Sequence, residues 1–278
     1  MKGLSSIPFQ DIHVVISQRD IPLLRLSALS NLQRICLEWK RPYYSRSTEL
    51  SSELDELIGR CPDLSSLEID ARWMHFPRFF RSTATHHSLQ QLSLVEVEVH
   101  PEHITQNLHH LQHLKTFGLR RNVLQFGSDS GRITKNISNG QIWSIFEKQN
   151  IKLKGIITDS VHDHSLSSYL SSYQGLECLT LYLGKPLAAL VEPDRLLLFR
   201  LFTALASHHA DSLFELDLLA ETSAEEEAFW PFQEEILDIL PAFTNLRGFG
   251  VTEWGATSFQ SVAAVQESIV SYHTISTC

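Results

Sequence analysis

A chain of 278 residues with 43% hydrophobic and 20% charged residues has ordinary globular composition, which excludes wholesale disorder. Its net charge of −9 is unevenly spread: residues 1–139 hold 16 Lys/Arg against 14 Asp/Glu, while residues 140–278 hold 7 against 18. That balance disfavours general nucleic-acid binding and points to a basic or neutral partner near the C-terminal half, with simple solubility as the plain alternative.

The start, MKGLSSIPFQD, lacks an uninterrupted apolar core and meets Asp11, so no secretory signal is expected. IHVVIS (Ile12–Ser17) reads as an irregular first strand, and residues 1–31 as an N-terminal cap. A phrase of the form Leu-x-x-Leu-x-Leu, or its apolar equivalent, then recurs eight times. The copies are Leu32/Ile35/Leu37, Leu64/Leu67/Ile69, Leu89/Leu92/Leu94, Leu114/Phe117/Leu119, Leu153/Ile156/Thr158, Leu176/Leu179/Leu181, Leu213/Leu216/Leu218 and Leu246/Phe249/Val251. In each, the last two apolar residues share one face of a short strand, and the first packs at the bend leading into it. Only the fifth ends on a polar residue, Thr158.

Between the phrases lie helix-like stretches at Ser47–Gly59, Pro101–His110, Gln141–Gln149 and His164–Tyr173. In the first, Leu50, Leu54 and Leu57 fall at i, i+4 and i+7, a stripe suited to packing beneath a sheet, while Glu49, Glu53 and Glu56 face elsewhere. VLQFGSDSGRITKNISNG, before the fifth phrase, lacks apolar periodicity and reads as a projecting loop. Leu196–Ala206 is too short to span a bilayer and reads as a buried helix opened by Asp194 as N-cap, with Pro193 before it. Glu225, Glu226 and Glu227 follow Thr222 and Ser223, where they suit a helix N-terminus. Ser258 can cap a last helix carrying Phe259, Val262, Ala263, Ile269 and Val270, and residues 254–278 form the C-terminal cap.

Stacked phrases separated by returning helices predict an α/β solenoid: one parallel sheet on the concave side of a horseshoe and helices on the convex side. The whole of 1–278 is read as a single leucine-rich-repeat-like domain of about eight irregular repeats, because each repeat buries itself against its neighbours. Successive phrases begin 32, 25, 25, 39, 23, 37 and 33 residues apart. The longer gaps call for insertions or longer helices. Cys36, Cys61, Cys178 and Cys278 form no close pair, which suits a reducing, cytoplasmic or nuclear setting better than a disulfide-stapled one. Asn136-Ile137-Ser138 is then a chance match to a glycosylation acceptor.

With its phrases preceded by CPDL, HHSL, YQGL and FTNL, the chain resembles the irregular leucine-rich repeats of fungal F-box proteins and the ribonuclease-inhibitor-like fold. That resemblance implies substrate recognition for a ubiquitin ligase, with a ligase adaptor as a further partner. MKGLSSIPFQDIHVV does not carry the Leu-Pro-x-Glu-leading helical signature of an F-box, so a repeat-only relative or a truncated product is the expectation.

If the phrase residues point inward, the alternating residues line the open face of the sheet. They are Arg34, Cys36 and Glu38; Ser66, Glu68 and Asp70; Gln91, Ser93 and Val95; Thr116, Gly118 and Arg120; Gly155, Ile157 and Asp159; Cys178, Thr180 and Tyr182; Glu215, Asp217 and Leu219; Gly248, Gly250 and Thr252. Six acids against two arginines favour a basic peptide or protein surface, the bland alternative being that exposed strand positions are simply polar. WKRPYYSR (Trp39–Arg46) and RWMHFPRFFR (Arg72–Arg81) are expected in corresponding loops after the first two phrases. There Trp39, Arg41, Arg72, Trp73 and Arg78 form a second patch suited to a phosphopeptide or an unstacked base, or else buried aromatics with solvated arginines.

The paired histidines, such as His109/His110 and His208/His209, precede strand phrases, so repeat position explains them. His109 and His113 are four apart and share a face if the helix runs that far, but a metal site needs a third ligand. Gly127–Gly131 places Asp129 where a nucleophile elbow needs Ser, and no GxGxxG or GxxxxGK[ST] follows a predicted strand. The reading is a non-catalytic protein-binding scaffold without cofactor, metal or membrane partner. An enzyme on a doubly wound α/β fold is its rival.

Overall fold

The computed structural model describes residues 11–16, 29–39, 54, 56–75, 88–120, 139–161, 163–183, 192–221 and 238–254. They form an α/β fold in which nine strands follow one another in chain order. The chain divides into two compact units, Met1–Leu153 and Lys154–Cys278.

The first unit contains β1 (Asp11–Ile16), β2 (Arg34–Trp39), β3 (Ser66–His75), β4 (Gln91–Glu98) and β5 (Thr116–Arg120). Each strand pairs in parallel with the next in sequence. The helices described in the returns are α1 at residues 54 and 56–59, α2 (Pro101–Gln106) with α3 (Leu108–Leu111), and α4 (Gly140–Lys148). The second unit contains β6 (Gly155–Thr158), β7 (Cys178–Leu183), β8 (Glu215–Glu221) and β9 (Gly248–Trp254), again parallel and consecutive. Its helices are α5 (His164–Ser171) and α6 (Glu192–His209), packed on each other, and a 3-10 turn at Leu240–Ala242. No helix among the described residues is long and apolar enough to cross a membrane.

The phrases build the core. Leu67, Ile69, Leu92, Leu94, Phe117 and Leu119 in the first unit, and Leu179, Leu181, Leu216 and Leu218 in the second, are at most 1% exposed. Burying each such side chain is worth about 1.5–3 kcal/mol. Registers align them: Ile35 stands beside Leu67, Leu67 beside Leu92 and Leu92 beside Phe117. Leu54 and Leu57 of the α1 stripe are fully buried and Glu56 is exposed, while Leu50 lies outside the described residues. The polar exception, Thr158, is buried, and its Oγ1 accepts a hydrogen bond from Ser160 N–H at 3.1 Å, so the hydroxyl is satisfied inside the core.

A backbone joint recurs at the lead-ins of β3, β4, β5, β7, β8 and β9. Gln33 carbonyl accepts from the N–H groups of Ser65 and Ser66, Ser65 carbonyl from Gln90 and Gln91, and Gln90 carbonyl from Lys115 and Thr116. The second unit repeats the joint at Lys154 to Glu177 and Cys178, Glu177 to Phe214 and Glu215, and Phe214 to Arg247 and Gly248. A serine one place before a phrase leucine adds a side-chain bond back to the preceding phrase. Ser88 Oγ donates to Leu64 carbonyl at 2.9 Å, and Ser212 Oγ to Leu176 carbonyl at 2.7 Å. The bend before a phrase takes left-handed backbone at Asn31 (φ 57°) and Gly175 (φ 102°), where Asn and Gly are favoured.

Several expectations are corrected. α6 begins at Glu192, so Asp194 sits inside the first turn rather than at the N-cap; Pro193 is tolerated there because first-turn N–H groups have no intrahelical partner. Pro101–His110 is not one helix, because Asn107 leaves helical backbone (φ −112°, ψ 16°) and its Nδ2 donates to His103 carbonyl at 2.7 Å. α3 ends at Leu111, so His113 does not share its face with His109. β3 runs to His75, which puts Arg72 and Trp73 in a strand rather than a loop, and Trp39 closes β2. The extension follows from β4, whose Val97 and Glu98 pair with Met74 and His75 beyond a register shift. Arg41, Arg78, most of the loop before the fifth phrase, Glu225–Glu227 and the helix expected from Ser258 lie outside the described residues.

Candidate functional site

Because the strand residues of the phrases that are described, such as Leu67, Ile69, Leu179 and Leu181, are buried in the core, the intervening positions emerge on the opposite face, and the registers set them in rows across neighbouring strands. In the first unit the rows are Arg34–Ser66–Gln91–Thr116, Cys36–Glu68–Ser93–Gly118 and Glu38–Asp70–Val95–Arg120. Arg34, Glu68 and Gln91 are exposed, and Cys36, Glu38, Asp70 and Arg120 are half-buried. Two strip positions depart from expectation. Val95 is buried, adding an apolar spot beside Asp70, and Gly118 is buried because Ser93 lies over it, so that a Cβ there would come 2.9 Å from Ser93 Oγ.

The rows bring Glu38, Glu68 and Asp70 together around Cys36. The Cys36 thiol is pushed up to about 11, first by burial, then by the charge of Glu68, to which it also hydrogen-bonds, and then by Glu38 and Asp70. On the β1 side, His13 Nε2 lies 3.8 Å from Glu38 Oε2, with side chains 59% and 41% exposed. A pair so exposed contributes little stability even when the ring is protonated.

In the second unit the rows are Gly155–Cys178–Glu215–Gly248, Ile157–Thr180–Asp217–Gly250 and Tyr182–Leu219–Thr252. Asp159, expected on a strand, falls one residue past the end of β6 and is half-buried there, as is Tyr182 in β7. Cys178 is surrounded much as Cys36 is: burial first, then Glu215, Glu177 and Asp217, push its thiol up to about 11. Asp217 is itself pushed above the usual carboxylate range by burial and by Glu215, while the Gly250 N–H it accepts opposes the shift. Gly250 makes that bond possible, since a Cβ there would collide with the Asp217 carboxylate.

Thus each unit presents one half-buried thiol among three carboxylates. Thiols raised this far stay protonated at neutral pH and are poor nucleophiles, whereas the clustered carboxylates attract cations. Among the described residues, no three His, Cys, Asp or Glu side chains are grouped to hold a metal ion. Glu177 escaped the sequence reading because it sits just ahead of β7, where its carboxylate takes the Lys154 ammonium at 2.5 Å. His13 escaped it because β1 carries no phrase. The position ahead of a phrase's second apolar residue, two before it in Glu177, was the available signal. Trp39 and Trp73 belong to β2 and β3, but their side chains lie outside the described residues.

Neither a protein-family model nor a curated protein matches this chain, so the chemistry of the face rests on its own residues.

Proposed function

We propose that the protein is a leucine-rich-repeat-like solenoid that acts as a non-catalytic docking scaffold, taking a basic protein or peptide segment on the open, concave face of its sheet. One observation carries the reading: parallel pairing gathers acids from different strands into compact groups, Glu38 with Glu68 and Asp70, and Glu215 and Asp217 with Glu177 just ahead of β7. Each group sits on a preformed sheet, so a partner meets charges already in place and their ordering adds little to the cost of binding. Leu219, half-buried beside Tyr182 and Thr252, offers apolar contact area next to the charges. Long-range attraction speeds the encounter and disfavours acidic competitors.

The test is titration of the full chain with fluorescent peptides, one rich in Lys and Arg and one rich in Glu. The basic peptide should bind, and its affinity should fall steeply with salt. Glu68→Lys/Asp70→Lys and Glu215→Lys/Asp217→Lys, made separately, should each weaken it about tenfold, and the single variants Glu68→Lys and Glu215→Lys, whose side chains are exposed, should weaken it in the same direction while leaving the melting curve in place. Equal binding of the two peptides, or variants that bind like the parent, would remove the acidic face from the function.

A further inference from the structure

We infer that the outward face of α6 is a second docking surface, shaped for an acidic amphipathic helix of another protein. α6 is 18 residues long, and apart from the half-buried Leu197, Ala206 and His208 its described side chains are either buried or exposed. Leu198, Leu201, Phe202, Ala204, Leu205 and His209 are buried. Arg195, Leu196, Phe199, Arg200, Thr203 and Ser207 are exposed. At 3.6 residues per turn the exposed set falls within an arc of about 140°, in the order Arg195, Phe199, Thr203, Leu196, Ser207, Arg200. An apolar centre is therefore flanked by an arginine on each side.

Leu196 is 50% and Phe199 39% exposed, among the few large hydrophobic side chains left open in the described residues. Thr203 completes the centre, because its hydroxyl donates to Phe199 carbonyl at 2.8 Å and leaves the methyl group to face outward. Arg200 Nη1 lies 3.4 Å from His164 Nδ1, an imidazole rather than a carboxylate.

Charge says what covers this face. Residues 154–278 hold 5 Lys/Arg against 17 Asp/Glu, and two of those five cations stand here, on the helix layer, away from the acidic sheet face. A partner drawn to the strip of carboxylates is thus the wrong sign for α6. A helix with Leu at i, i+3 and i+7 seats its ridge against Leu196, Phe199 and Thr203, and Glu on its flanks meets Arg195 and Arg200. An anionic membrane suits the face less well, since two apolar side chains on a helix already packed on its other side offer little to insert.

The probe is a synthetic helical peptide with that Leu spacing and Glu flanks, paired with a Lys-flanked version and with phosphatidylserine vesicles, all offered to the full chain. The Glu-flanked peptide should bind, with the Lys-flanked one about tenfold weaker or more. Leu196→Ala/Phe199→Ala should weaken binding about tenfold, and Arg195→Glu/Arg200→Glu should reverse the preference, with melting temperature unchanged because all four side chains are exposed. Glu215→Lys/Asp217→Lys should leave this binding intact, which separates failure here from failure of the sheet-face reading. Four results would overturn the inference: indifference to flank charge, no peptide binding, binding to vesicles alone, or self-association of the chain abolished by Leu196→Ala/Phe199→Ala.

Discussion

The two units close the same kind of joint with different chemistry. In each, the backbone N–H of a phrase's first leucine is taken by a side chain from the end of the following helix. In the first unit Leu32 N–H reaches Cys61 Sγ at 3.4 Å, a weak acceptor; in the second, Leu176 N–H reaches His209 Nδ1 at 3.1 Å. That bond makes Nδ1 an acceptor, so Nε2 carries the hydrogen and donates to Leu170 carbonyl at 2.9 Å. Burial holds the ring below its ordinary pKa. The first unit relies further on apolar aromatics, with Phe117, Trp143 and Phe146 meeting edge to face at centroid distances of 5.0–6.0 Å. One lesson is that the repeat needs its N–H satisfied, not a particular residue to do it. Another is that an imidazole in that role brings a dependence on pH that a thiol does not.

Breaking the aromatic cluster should have the largest effect. Trp143→Ala removes a fully buried indole and should cost about 3–5 kcal/mol, read by urea denaturation. Next comes His209→Leu, which orphans Leu176 N–H and Leu170 carbonyl and should cost about 2–4 kcal/mol in all, read by the same denaturation. Cys61→Ala takes from Leu32 N–H its sulfur acceptor and should cost about 1–3 kcal/mol.

The pH comparison follows from the depressed His209 pKa. The unfolded chain binds the proton at higher pH than the folded one, so the stability tied to the neutral ring is full above about 6.5 and falls as pH drops below that value. Wild type minus His209→Leu, measured from pH 7.5 to 5, should therefore narrow on acidification, while wild type minus Cys61→Ala should stay flat. Parallel slopes would mean that His209 does not titrate as described.

The smallest effect concerns the matched thiols. Cys36 and Cys178, both near 11 against an ordinary 9.0, should react with iodoacetamide at pH 8 about tenfold more slowly than a free cysteine, because the smaller thiolate fraction is partly offset by the greater nucleophilicity of a more basic thiolate. Fast alkylation of either would show that its carboxylates stand further off.

The strands were legible in the sequence because a two-residue period places Leu67 and Ile69, or Leu179 and Leu181, on one face whatever the surroundings. The open face was legible by the same alternation. Its grouping of charge was partly hidden, because which acids meet depends on register, and Glu177 lies outside the strand pattern. The end of β6 before Asp159 and the length of β3 were not legible, since strand termini depend on what the neighbour offers for pairing. Nor was the role of His209, because a histidine ahead of a phrase reads the same whether it is solvated or clamped between two backbone groups.

The shared-carbonyl joint has a consequence for how such a chain changes over time. Successive joints lie 32, 25 and 25 residues apart in the first unit and 23, 37 and 33 in the second, yet each uses one carbonyl and two adjacent N–H groups. The segment between joints can therefore lengthen or shorten without disturbing the attachment of the next repeat, since closing a longer loop costs only a little more entropy. Insertions and deletions are tolerated in these stretches wherever core side chains such as Leu54, Leu57 and His209 keep their places, and a designer grafting a foreign segment beside them should find the remaining strands in unchanged register.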